Sequence, residues 1–153
     1  MNKNAKPVLV TLVSGSHSGD SEPEELVRLR CQGELKETST GYLLRYQEVQ
    51  TDEETGKTVS QDVILSLQPD RVTRNRLGAF GTTMVFVKER RFEGAYHTPY
   101  GDLGMALYAT QVNCRLGPDS GSVHLEYQLD MHGSYAAVQT IDVTYAVEGA
   151  TPC

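Results

Sequence analysis

Apolar and polar residues alternate with a period of two along most of this chain, while the three-to-four-residue spacing of an amphipathic helix is nearly absent. The cleanest run is Ser122 to Met131, where Val123, Leu125, Tyr127, Leu129 and Met131 share one face and His124, Glu126, Gln128 and Asp130 the other. Leu26 to Leu35 sets Val27, Leu29 and Cys31 against Arg28, Arg30 and Gln32. Gly41 to Gln50 places Tyr42, Leu44, Tyr46 and Glu48 together, and Tyr135 to Val147 does the same for Ile141, Val143, Tyr145 and Val147. Further strands are predicted over Val8 to Ser14, Thr58 to Leu67, Arg71 to Leu77 and Thr82 to Lys88, and on either side of a turn within Phe92 to Cys114.

The breaks between these runs have turn chemistry. Tyr96-His97-Thr98-Pro99-Tyr100-Gly101 joins two strand-like segments, with Pro99 fixing φ and Gly101 free to take positive φ. Gly15 to Asp20 reads as a loop, Ser21 and Glu24 allow one helical turn at most, and Pro69-Asp70 and Gly117 to Gly121 mark further reversals. About ten strands with hairpin-like connections form a long meander, and such a meander tends to close on itself to remove its unpaired edges. The expected fold is therefore all-β: a single domain over residues 1–153, an up-and-down antiparallel barrel with its core over 8–147 and a frayed tail at 148–153. Strand spacing alone leaves a two-sheet sandwich as the alternative.

Charge and cysteine content narrow the function. With Lys+Arg 14 against Asp+Glu 20, the net charge of -6 disfavours a nucleic-acid partner. The apolar run Val8 to Val13 is too short for a signal peptide, and no run reaches the roughly 18 residues of a membrane span, so a cytoplasmic protein is expected. Cys31, Cys114 and Cys153 are widely spaced and read as free thiols. His17, His97, His124 and His132 lack metal-ligand spacing: parity puts His124 on the wet face, His17 and His132 fall in loops, and His97 sits at a rim. The Gly15-Ser16-His17-Ser18-Gly19 stretch has histidine where a nucleophile elbow needs serine. Neither a cofactor nor a catalytic set is indicated.

Gly33, Tyr46 and Glu48, Arg76-Leu77-Gly78, Met84 and Phe86, Tyr96-x-Thr98-Pro99-Tyr100-Gly101, Gly121 and Tyr127 together give the chain a family likeness. In their order and spacing it resembles the YwiB-like family, small bacterial proteins classed as a domain of unknown function, over roughly Val8 to Tyr145. The resemblance implies a barrel of lipocalin or calycin type. It implies a fold more than a function.

The chemistry that stands out is polar groups on apolar faces: Tyr46, Glu48, Arg76, Tyr96, Thr98 and Tyr127. A Glu48–Arg76 pair completed by tyrosine and threonine hydroxyls would hold the polar end of a small hydrophobic or amphipathic ligand in a noncatalytic binding barrel. The bland alternative is a barrel filled by side chains, in which these groups satisfy one another. Such a protein would act through its surface, at Arg71 to Arg76 and Lys88 to Arg91, or as a homodimer. Those basic clusters read most simply as solvated strand ends. A cavity of about 300 Å³ or more separates the two alternatives.

Overall fold

The computed structural model describes residues 5–17, 25–51, 54–78, 81–98, 101–131 and 134–147. Ten strands follow one another: β1 (Ala5–His17), β2 (Glu25–Glu37), β3 (Tyr42–Thr51), β4 (Thr58–Gln68), β5 (Arg71–Arg76), β6 (Thr82–Val87), β7 (Arg91–Thr98), β8 (Gly101–Arg115), β9 (Ser120–Met131) and β10 (Ser134–Val147). Each pairs antiparallel with its neighbours in sequence, and β1 pairs with β10, so the meander closes into a barrel as its period-two pattern predicts. The tail at 148–153, the Ser21–Glu24 turn, His132 and Cys153 lie outside the described residues.

Closure turns every second side chain inward, and the apolar faces meet. At the end where β2 turns into β3 and β8 into β9, the interior is filled by Val8, Val10, Leu35, Leu44, Leu65, Leu67, Val72, Phe86, Val123 and Val143, all at most a few per cent exposed. Phe86 meets Tyr127 edge-on at 5.0 Å between ring centroids. Tyr145 plugs the end, its hydroxyl donating to the Gly117 carbonyl at 2.8 Å and accepting from the Gly117 amide at 3.1 Å.

One expectation needs correction. Gly15, Ser16 and His17 belong to β1 instead of a loop, because β10 pairs with all three and β2 with Gly15 and Ser16: Gly15 faces Leu26 and Thr140. Two edges of backbone hydrogen bonds outweigh the turn propensity of Gly and Ser there. The apolar run in β8 also hides a change of parity. Met105, Leu107 and Ala109 point inward, then Val112 does, because a bulge at Thr110 inserts one residue against β9.

The strand order closes, but the wall is uneven: β6 and β7 pair at Thr82 and Tyr96 alone. Pairing between β2 and β3 stops at Gly33 opposite Tyr46, although β2 runs on to Glu25 and β3 to Thr51. At Gly33 the two strands lie close together. A side chain there would put its Cβ 2.5 Å from the Arg45 carbonyl oxygen. Beyond it β2 stays with β1 and β3 stays with β4, leaving a gap between residues 25–32 and 47–51.

Candidate functional site

The gap leads to a cavity of about 770 Å³ in the other half of the barrel. Its wall has two characters. β1, β8, β9 and β10 supply Leu12, Met105, Leu129, Met131 and Ile141 together with the uncharged polar Ser14 and Gln139, whereas β3, β5 and β6 supply Glu48, Arg74, Arg76 and Thr82 together with the apolar Met84. Tyr127 stands between them, and Arg28, Leu29 and Val49 line the cavity at the gap.

The polar wall follows from strand parity. Val72, Arg74 and Arg76 are alternate residues of β5; since Val72 is buried, both guanidinium groups must also point inward. Glu48 shares a face with Leu44 and Tyr46 on β3. Arg74 Nη2 donates to Glu48 Oε1 at 2.5 Å, and Arg76 Nη1 lies 3.6 Å from Glu48 Oε2. The Tyr46 hydroxyl, at 3.5 Å, reaches the same Oε1 as Arg74. The side chains of Arg74, Arg76 and Glu48 are 12%, 9% and 16% exposed, so the three charges meet largely out of water.

Burial sets the protonation of the neighbours. It pushes the phenols of Tyr46 and Tyr127 up to about 12, overcoming the nearby Arg74, which pulls the other way on both. Both are neutral hydrogen-bonding groups at physiological pH. Burial pulls the Arg74 guanidinium down, but Glu48, together with Tyr46 and Tyr127, more than offsets this and holds it above its ordinary range. The Cys31 thiol is raised, first by burial and then by the charge of Glu48, which leaves it a poor nucleophile. The Thr82 hydroxyl donates to the Ala95 carbonyl at 3.2 Å.

Of the six residues proposed from sequence, Tyr46, Glu48, Arg76 and Tyr127 come together in one interior cluster. Tyr96 and Thr98 lie on β7, where Tyr96 pairs with Thr82 and Thr98 with Gly101, but their side chains lie outside the described residues. The partner that sequence reasoning missed is Arg74. Grouped with Arg71 and Arg76 as a solvated basic cluster, it is instead the closest contact of Glu48; only Arg71 of the three is exposed. The period of two that places Arg76 inside places Arg74 there as well. Gln61, opposite Glu48 on β4, was missed too: it is 3% exposed, and neither its Nε2 nor its Oε1 has a hydrogen-bond partner among the described residues.

The other chemistry is sparse. Cys31 and Cys114 are free thiols. His97, exposed, and His124, half-buried, face Asp102 and Asp142 across their hairpins. Among the described residues no group of three His, Cys, Asp or Glu side chains is placed to hold a metal ion, and no helix is long and apolar enough to cross a membrane.

Comparison with known proteins agrees with this architecture. The family model described as a domain of unknown function, DUF1934, matches residues 10–143. The chain belongs to this family. Among solved structures, the DUF1934 chain is similar to the ywiB protein of Bacillus subtilis, with a TM-score of 0.78 and 20% sequence identity over 95% of this chain and 94% of that one. At that identity the likeness is one of fold, and it extends around the whole barrel. No curated protein matches the sequence.

Proposed function

We propose that this DUF1934 chain is a noncatalytic binding barrel that takes a small amphipathic anion into the open half of its interior. The division of the cavity wall carries the reading. A side built mainly by Leu12, Met105, Leu129, Met131 and Ile141, with no charged group and only Ser14 and Gln139 polar, faces a side that holds Glu48, Arg74 and Arg76 beside Thr82 and Met84. The volume of about 770 Å³ falls within the range of roughly 300–1,000 Å³ common for ligand sites. Among the described residues the charged lining consists of Arg28, Arg74 and Arg76 against Glu48, a positive excess in a chain whose net charge is -6.

A ligand carboxylate or sulfonate beside Arg76 and Arg74 would alternate with Glu48 in sign, giving two cations and two anions. The neutral Tyr127 phenol offers a further donor on that side, while an acyl or aryl body lies against the methionines and leucines, which adapt to ligand shape. The free thiols Cys31 and Cys114 fit a cytoplasmic setting.

Calorimetric titration with dodecanoate, beside native mass spectrometry of fresh preparations, tests the reading. Saturable binding of one molecule is expected, weakened about tenfold or more by Arg76→Met through loss of a charge-assisted bond. Preparations free of any small molecule and without heat on titration would discard it. One feature favours a second reading, in which the barrel acts through its surface: a depression of about 320 Å³ at the sparsely paired junction of β6 and β7, where Arg71, Arg90 and Arg91 surround Val85, Val87 and Phe92. That patch suits an acidic partner, or a second copy in a homodimer.

A further inference from the structure

The cavity does not stay inside the ring of strands. Leu29 and Glu48 point inward, yet Arg28 on β2 and Val49 on β3 have the opposite parity and still line the same space. Arg28 is exposed, and Val49 is 64% exposed, the highest value among the large apolar side chains described. These four residues flank the stretch where β2 and β3 have ceased to pair, beyond Gly33 and Tyr46. The cavity therefore passes through the wall of the barrel between two strand edges.

We infer that this lateral gap is the passage by which an anionic amphiphile enters and leaves the barrel, with Arg28 at its outer lip and Glu48, Arg74 and Arg76 at its inner end. The inference rests on the binding function proposed above and adds the route. Separating strands along β1–β2 or β3–β4, where pairing is continuous, would break ladder hydrogen bonds; β6 and β7 also pair at Thr82 and Tyr96 alone, but among the described residues none from β7 lines the cavity. Here those bonds are already absent, so widening the gap costs little. Arg28 offers an exposed positive charge to an approaching head group, and Val49 offers an apolar surface for its body. Inside, the head meets two guanidinium groups that are far less hydrated than Arg28, which favours movement inward.

Extending the β2–β3 register by three residues puts Arg30 opposite Val49, both exposed and on the outer face. A disulfide at Arg30→Cys and Val49→Cys, in a chain with Cys31, Cys114 and Cys153 changed to serine, would pin the gap shut without filling the cavity; a short thioether bridge serves where the disulfide does not form. Stopped-flow fluorescence with anilinonaphthalene sulfonate then reads binding and release in the linked and unlinked forms. Both rates should fall at least tenfold on linkage and recover when the bridge is reduced or left out. Equal rates in the two forms, with the fluorescence change intact, would overturn the lateral route and leave the binding function standing. No fluorescence change in the original chain or in either form of the variant would overturn the binding function, and the route with it.

Discussion

Arg74 and Glu48 form an ion pair between strands that are not neighbours: Nη2 on β5 donates to Oε1 on β3 at 2.5 Å, reaching across the inner face of β4. Backbone position makes this natural. Arg74 lies opposite Leu65, on the filled side of the cavity, and Glu48 lies opposite Gln61, toward the open end. The long guanidinium side chain rises from the hydrophobic floor to a carboxylate that would otherwise be stranded above it.

Breaking this pair from one side leaves an unpaired charge largely buried. Arg74→Met is expected to destabilise the fold by about 3–5 kcal/mol, and the Arg74→Met, Glu48→Gln double variant by less than the sum of the two single changes. Urea denaturation of the four proteins in a double-mutant cycle measures the coupling. Strict additivity would show that the contact has no energetic weight.

Gln61 should behave in the opposite way. Its amide is buried with neither polar atom partnered among the described residues, so it carries a desolvation cost without the return of a hydrogen bond. Gln61→Met, close in shape and apolar, should raise stability by about 1 kcal/mol, seen as a later urea midpoint with an unchanged slope. A loss of more than that amount would mean the amide is engaged in the native protein.

At the filled end, Gly121 lies opposite Tyr145, and a Cβ at position 121 would fall 2.4 Å from the tyrosine hydroxyl oxygen and 2.5 Å from the ring carbon bearing it. The ring is fixed through both polar groups of Gly117, so it cannot yield cheaply. Gly121→Ala is expected to cost about 1–3 kcal/mol. Gly104→Ala is the control, since a Cβ there meets nothing within 4 Å; its melting temperature should stay the same or rise slightly.

The buried phenols set a limit at high pH. Tyr46 and Tyr127 ionise near 12 in the fold against an ordinary value of 10.0, so the unfolded chain releases these protons first. Their contribution to stability is complete below about pH 10 and is lost as pH rises toward 12. Tyrosinate absorbance should show late-titrating phenols, with denaturant midpoints falling across the same window. Changing both to phenylalanine should flatten that fall.

Much of the architecture could be read from the chain because its strands carry one apolar face each. Val123 to Met131 and Ile141 to Val147 declare their orientation outright, and the same parity places Tyr46, Glu48 and Tyr127 inside. Arg74 was hidden by its company: flanked by Arg71 and Arg76 in a short strand, it looked like part of a solvated cluster, although it shares the parity of Val72. Position along the barrel axis was not legible at all. Parity tells in from out, but only the paired registers show that Arg74 sits at the floor of a cavity and that the β2–β3 ladder ends at Gly33. The bulge at Thr110 is likewise hard to read, because Met105 to Ala109 before it are apolar or aromatic at every position and so declare no parity of their own.

Among the described strands, every ladder but that of β1 with β10 joins segments adjacent in the chain. Hairpins can therefore zip one after another at modest loop-closure entropy, whereas His17 must find Val138 across almost the entire polypeptide. This makes that last junction the slow event in the protein's maturation. Until it is made, two long unsatisfied β edges are available to neighbouring molecules, so newly made chains are most prone to aggregate just before they become circular.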